Sequence, residues 1–262
     1  MSGFANPLRR LWAEGRSAAN GWIACPAVLS AEALASAGWD SITVDMQHGT
    51  ADYAALLTLL PVIERAGAAS LVRVPWLDEA SIMRALDAGA LGIIAPMIET
   101  AADARRLVSA CLYAPEGGRS FGPVRARLAW GDAYAQNANR EILPIAMIET
   151  RAAMDNLDEI AATPGLGGLY IGPADLSLVH GLPPGFDREE PQMLEMIERI
   201  RLACKQNGIA ACIHCGDLSY ARRMASQGFD LVTMGSDARF IEAGARAATA
   251  LFRAGRAHAA SG

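Results

Sequence analysis

Glu149 and Asp175 each close a short apolar run, Ile145-Ala146-Met147-Ile148 and Leu169-Tyr170-Ile171-Gly172, with a helix-forming stretch between the two. If these runs are consecutive parallel strands, both carboxylates emerge on one face of the sheet, where α/β proteins build their sites. Two hard oxygen donors meeting there suit a divalent cation such as Mg²⁺, Mn²⁺ or Co²⁺. Taken singly, Asp175 reads as a helix cap and Glu149 as an ion-pair partner. It is the pair that points to chemistry.

Three further positions fall on the same side of such a sheet. Asp45-Met46-Gln47-His48-Gly49 follows a candidate strand, and a carboxylate three residues before a histidine can orient the imidazole and raise its basicity, as a general base requires. Arg73 lies inside the apolar run Leu71-Val72-Arg73-Val74-Pro75. A buried guanidinium needs a carboxylate or an anionic ligand; Asp87 is the structural partner expected, and a keto or enolate oxygen the functional one. Gly172-Pro173-Ala174-Asp175 reads as a turn opening a helix, whose free amides suit a carboxylate. Cys212-Ile213-His214-Cys215 is too sparse for a zinc site and reads as packing or pocket lining.

One residue count excludes a mechanism. Lys205 is the only lysine, against 22 arginines. It falls late in a predicted helix that feeds the strand Ile209–Ile213, which places it at the end of a barrel away from chemistry. A Schiff base requires a desolvated lysine in the pocket, so carbonyl chemistry here must rely on a metal or on hydrogen bonds.

The positioning elements follow from the alternation of apolar runs with amphipathic stretches. Strands are predicted at Gly21–Cys25, Ser41–Asp45, Ser70–Val74, Gly92–Pro96, Pro144–Glu149, Gly168–Gly172, Ile209–Ile213 and Leu231–Gly235. Eight such βα units close a barrel, so the expected fold is a (β/α)8 TIM barrel, one domain over residues 1–262; an open doubly wound sheet is the alternative. Two segments break the rhythm: Ala114 to Ile142, long enough to suggest a functional loop, and the Pro/Gly-rich His180 to Glu190, expected over the mouth.

Composition narrows the class. A 52% hydrophobic content supports a large core, and a net charge of −5 with scattered arginines presents no basic face for nucleic acid. No run reaches membrane-spanning length, and Met1 to Arg16 lacks the apolar core of a signal peptide. Five cysteines make no disulfide framework, which fits a cytoplasmic setting.

Asp45-x-x-His48-Gly49, Arg73-Val74-Pro75, Leu86-Asp87-x-Gly89-Ala90, Ile148-Glu149-Thr150 and Ile171-Gly172-Pro173-Ala174-Asp175-Leu176-Ser177 together resemble the HpcH/HpaI (4-hydroxy-2-oxoheptane-1,7-dioate) aldolases, metal-dependent class II pyruvate aldolases. The likeness runs in order from about Trp22 to Ala248. It implies a divalent metal held by Glu149 and Asp175, and a 2-oxo acid chelating it. Arg73 would steady the keto oxygen, and His48, oriented by Asp45, would move protons. The amides near Ala174 and Asp175 would hold the substrate carboxylate, with Asp87 in a supporting role and Arg119 and Arg125 as acceptor contacts. The implied reaction is reversible addition of pyruvate or hydroxypyruvate to an aldehyde. The implied assembly is a homohexamer, a trimer of dimers, with the C-terminal helix exchanged between subunits. Met147 stands where many relatives have glutamine. Two other readings share the scaffold, a citrate-lyase-like CoA-ester lyase and a non-catalytic oxo-acid binder.

Overall fold

Strands form where β-branched and other apolar side chains run together, and both faces of each strand are covered. The computed structural model describes residues 4–259. Its strands are β1 (Ala18–Ile23), β2 (Ser41–Asp45), β3 (Ala69–Arg73), β4 (Gly92–Ala95), β5 (Leu143–Ile148), β6 (Gly168–Ile171), β7 (Ala210–Cys215) and β8 (Leu231–Met234). Each pairs in parallel with its sequence neighbour, and β8 pairs back onto β1 to close the barrel. The (β/α)8 expectation is therefore met.

Helices cover the outside through apolar stripes. Leu56, Leu59, Leu60 and Ile63 are the buried face of the helix Tyr53–Arg65, at i, i+3, i+4, i+7 spacing. The helix Pro191–Asn207 stops at Gly208, whose φ of +65° is the left-handed cap glycine accepts without a Cβ clash. Lys205 is exposed near that stop, before β7 begins.

The barrel interior is not wholly apolar. Asn20, Ser41, Thr43, Tyr170 and Thr233 form a buried, hydrogen-bonded polar layer. Buried polar groups of this kind are tolerated only when their partners are present, and here they are.

Three local expectations need correction. β1 starts three residues early, and β7 runs on to Cys215, so His214 is a strand residue. Between β5 and β6 lie two short helices, Arg151–Asp155 and Leu157–Ala161, that meet at Asn156, whose side-chain amide donates to Glu99 O. Ala114 to Ile142 is not a loop over the mouth. It carries the helices Val124–Trp130 and Tyr134–Glu141 and packs beneath the barrel, where Arg125 and Trp130 donate to the carbonyls of Ala88 and Gly89 just before β4. By contrast, the 180–190 segment does reach the mouth, since Phe186 stacks on His214 of β7. The last helix, Asp237–Ala259, leaves almost its whole described length exposed.

Candidate active site

Parallel register brings Asp45, the last residue of β2, beside Arg73, the last of β3. Arg73 Nε and Nη2 donate to the two Asp45 carboxylate oxygens at 2.9 and 2.7 Å, a bidentate pair almost closed to solvent. Trp22 of β1 donates its indole N–H to Asp45 at 3.3 Å, and the Arg73 guanidinium lies over the same indole at 4.8 Å. Burial works against the Asp45 charge, but Arg73 and the amides of Gln47 and His48 outweigh it and hold the carboxyl below its ordinary range. Arg73 Nη1 makes no bond among the described residues.

This arrangement changes two assignments. Asp45 is engaged by Arg73, and it meets His48 through the main-chain N–H at 3.3 Å, not through the imidazole, which stands exposed at the mouth. Arg73 is partnered by Asp45 and not by Asp87. Asp87 lies at the other end of this protomer's barrel, paired with Arg119 at 2.6 Å. Arg119 is fully buried there, also bonded to Tyr134, and Arg125 is tied to Glu64, so within this chain neither arginine reaches the mouth.

Glu149 follows β5, and the register Ile148↔Ile171 sets it level with Gly172 at the end of β6. Glu149 is 2% exposed. Met97, two residues past β4, donates its amide to Glu149 Oε1 at 2.8 Å from a left-handed backbone, φ +56°, a rare conformation for a residue with a side chain. Gly172 leaves room on the other side, because a Cβ there would stand 2.5 Å from Glu149 Oε2. Asp175 is the third residue of the helix Pro173–Val179 and is exposed, with its charge acting on Glu149. Burial raises the Glu149 carboxyl to about 7, and Asp175 pushes the same way, against the Met97 amide and Arg73. The amides of Ala174 and Asp175, in the first turn, have no partner within their helix.

The donor set fits a hard divalent cation. A desolvated carboxylate beside a second one, short of positive charge, is the environment that a cation relieves. Among the described residues no three His, Cys, Asp or Glu side chains cluster as a metal cage. Two protein carboxylates would thus leave the other positions to water and substrate oxygens, as Mg²⁺-type sites do. Cys212 and Cys215 are buried and join no such cluster.

Trp22, Met97 and Phe186 join the site without a sequence signal that singles them out, and His214, expected as packing or pocket lining, stands on the rim. His214 is held by the Tyr170 hydroxyl at 3.1 Å and packs edge-on to Trp22 at 5.0 Å. Two-residue alternation along a longer β7 would have pointed it inward. Nothing in the sequence signals the Met97 backbone.

The profile of the HpcH/HpaI aldolase/citrate lyase family matches residues 21–243. A hydroxypyruvate/pyruvate aldolase of Rhizorhabdus wittichii is 43% identical over 249 residues, 95% of this chain and 99% of that protein. The 4-hydroxy-2-oxo-heptane-1,7-dioate aldolase of Escherichia coli is 33% identical, covering 92% of each. Among solved structures, an HpcH/HpaI aldolase/citrate lyase family protein from Burkholderia cenocepacia J2315 superposes with a TM-score of 0.86 at 31% identity, covering 94% of this chain and 98% of that one.

Proposed function

Because the chain belongs to the HpcH/HpaI aldolase/citrate lyase family, we propose that it is a class II aldolase, a carbon–carbon lyase acting on 4-hydroxy-2-oxo acids. It would release pyruvate or hydroxypyruvate and an aldehyde, and condense them in reverse. The observation that supports this reading most is the buried Glu149 carboxylate, on which the charges of Asp175 and Arg73 act, in a chain with one distant lysine.

Glu149 and Asp175 would hold a divalent cation, Mg²⁺, Mn²⁺ or Co²⁺. When bound, that cation supplies Lewis-acid polarisation of the substrate's keto oxygen. The chain's own groups do the rest. Arg73, fixed by Asp45, offers Nη1 to the keto oxygen as it gains enolate charge, in a pocket where such a contact is strong. The amides of Ala174 and Asp175, opened by Gly172 and Pro173, receive the substrate carboxylate. In cleavage the C4 hydroxyl loses its proton, the C3–C4 bond breaks and its electron pair passes into the enolate; a proton then returns to C3 to give the methyl group of pyruvate. His48, exposed at the mouth, moves these protons.

The assembly we infer is a homohexamer, built as a trimer of dimers with the last helix exchanged. Among the described residues no helix is long and apolar enough to cross a membrane, and a cytoplasmic enzyme fits the free cysteines.

The test is pyruvate release from a 4-hydroxy-2-oxo acid, followed after chelation and after adding back single divalent ions. Turnover that vanishes with chelator and returns with one ion is expected. Full turnover in excess chelator would remove the metal, and with it this mechanism.

A further inference from the structure

The polar layer inside the barrel ends at the mouth, and its donors can be followed one by one. The Asn20 side-chain carbonyl accepts from the Ser41 hydroxyl at 2.8 Å. Its amide donates to Thr43 Oγ1 at 3.0 Å and to Thr233 Oγ1 at 2.9 Å. Thr233 Oγ1 accepts from Asn20 and lies 2.6 Å from the Tyr170 hydroxyl, where either oxygen can donate. With Thr233 as the donor, the Tyr170 proton is directed to His214 Nδ1 at 3.1 Å. A ring nitrogen that accepts a hydrogen bond carries no proton, so in that order the proton of a neutral imidazole is on Nε2.

The surroundings keep that ring both neutral and still. Phe186 stacks on one face, with centroids 4.6 Å apart, and Trp22 meets the ring edge-to-face at 5.0 Å. Arg73 lies over the same Trp22, and Arg239 lies over Phe186. Burial first, then the charges of Arg73 and Arg239, push the imidazole down to about 3, with Asp45 opposing weakly. Nε2 bonds to no protein group among the described residues, and it is not one of the buried polar atoms left without a partner, so it reaches open space. His214 stands at the C-terminal end of β7, on the same rim as Arg73 at the end of β3 and Glu149 just after β5.

We propose that His214 is a specificity-determining residue whose Nε2–H, fixed in one tautomer by the Asn20–Thr233–Tyr170 relay, donates a hydrogen bond to an oxygen on the aldehyde half of the substrate. It rests on the aldolase reading and names the acceptor class. A neutral donor between two aromatic surfaces selects a small aldehyde with a hydroxyl or carbonyl oxygen next to the reacting carbon, over an alkyl aldehyde of equal size. It adds no charge beside Arg73, and an imidazolium there would be repelled by it. A site that offers a buried donor disfavours a ligand that cannot accept from it.

Two experiments decide it. The first compares kcat/KM for glycolaldehyde and for propanal, with pyruvate as donor and saturating Mn²⁺, in the wild type, His214→Leu, His214→Gln and Tyr170→Phe. His214→Leu should lower the glycolaldehyde-to-propanal ratio about tenfold, the worth of one hydrogen bond. His214→Gln, which keeps a donor, should recover part of it, and Tyr170→Phe should fall between. An unchanged ratio in an active His214→Leu enzyme overturns the proposal alone. If the wild type condenses pyruvate with neither aldehyde, the aldolase reading falls and takes the proposal with it. The second is ¹⁵N NMR of the histidine rings in the intact protein, which needs no turnover. A His214 signal protonated at Nε2 and constant across neutral pH supports the relay; a proton on Nδ1, or ordinary titration, overturns it.

Discussion

Glu149 is held between a main-chain amide and a missing side chain, and the second of these is easily tested. Gly172 has φ −95°, so its backbone would accept alanine. The obstacle is space: the new Cβ would lie 2.5 Å from Glu149 Oε2 and 3.1 Å from Met147 Cε. Met147 can bend away, but the carboxylate pinned by Met97 cannot move without leaving the position at which it would hold a cation. Gly172→Ala should therefore fold normally by circular dichroism and lose roughly 10²-fold in pyruvate release, the order expected for a displacement near 1 Å. A wild-type rate would show that Glu149 has slack.

His214 gives a stability prediction with a definite sign. Its folded value, about 3, is below the ordinary 6.5, so between those limits the unfolded chain binds more protons than the native one. Stability must then fall as pH drops through that window, by about 2.5 kcal/mol between pH 7 and pH 4.5. Urea melts of the wild type and His214→Gln at about pH 7 and about pH 4.5 test this. The acid loss should be smaller in the variant, and equal losses would contradict the burial argument.

Among the elements, the 114–142 segment behaves as a strap across the bottom of the barrel. Arg119 is its anchor, with no side-chain exposure, bonded to Asp87 and Tyr134 and lying 4.5 Å over the Tyr113 ring. Arg119→Met strands a half-buried carboxylate and should cost about 3 kcal/mol, read from denaturant midpoints. A loss below about 1 kcal/mol would mean that the strap is held elsewhere.

That strap also marks where sequence reading stopped. Ile145–Ile148 and Leu169–Ile171 announce buried strands, and that pattern alone puts the carboxylates just beyond them at the mouth. What decides Arg73's partner is the register of β2 against β3, a long-range property with no local signature. The same holds for the strap, because a Gly-Gly-Arg-Ser-Phe-Gly-Pro run looks the same over either end of a barrel. His214 is legible as pocket lining, but its place as a strand residue depends on β7 running two residues past Ile213.

At the scale of the molecule, the unsatisfied element is the final helix. Asp237 is buried and fixes its start, accepting the amides of Ala24 and Cys25 at 2.9 and 3.1 Å. Beyond it the helix leaves the barrel, with Ile241 61% and Leu251 76% exposed. A solvated helix does not keep such residues without a partner surface, since each buried aliphatic side chain is worth about 2 kcal/mol. In the exchanged assembly proposed above, a second subunit would supply the surface by symmetry, each copy covering the other. Replacing Ile241 and Leu251 together by glutamate should therefore lower the mass seen by light scattering from that of the proposed hexamer to smaller species. The start of the helix, and with it the β1 loop fixed by Asp237, should stay in place, so pyruvate release should fall far less than the assembly state. An unchanged mass would show that the exposed stripe is not what joins the subunits.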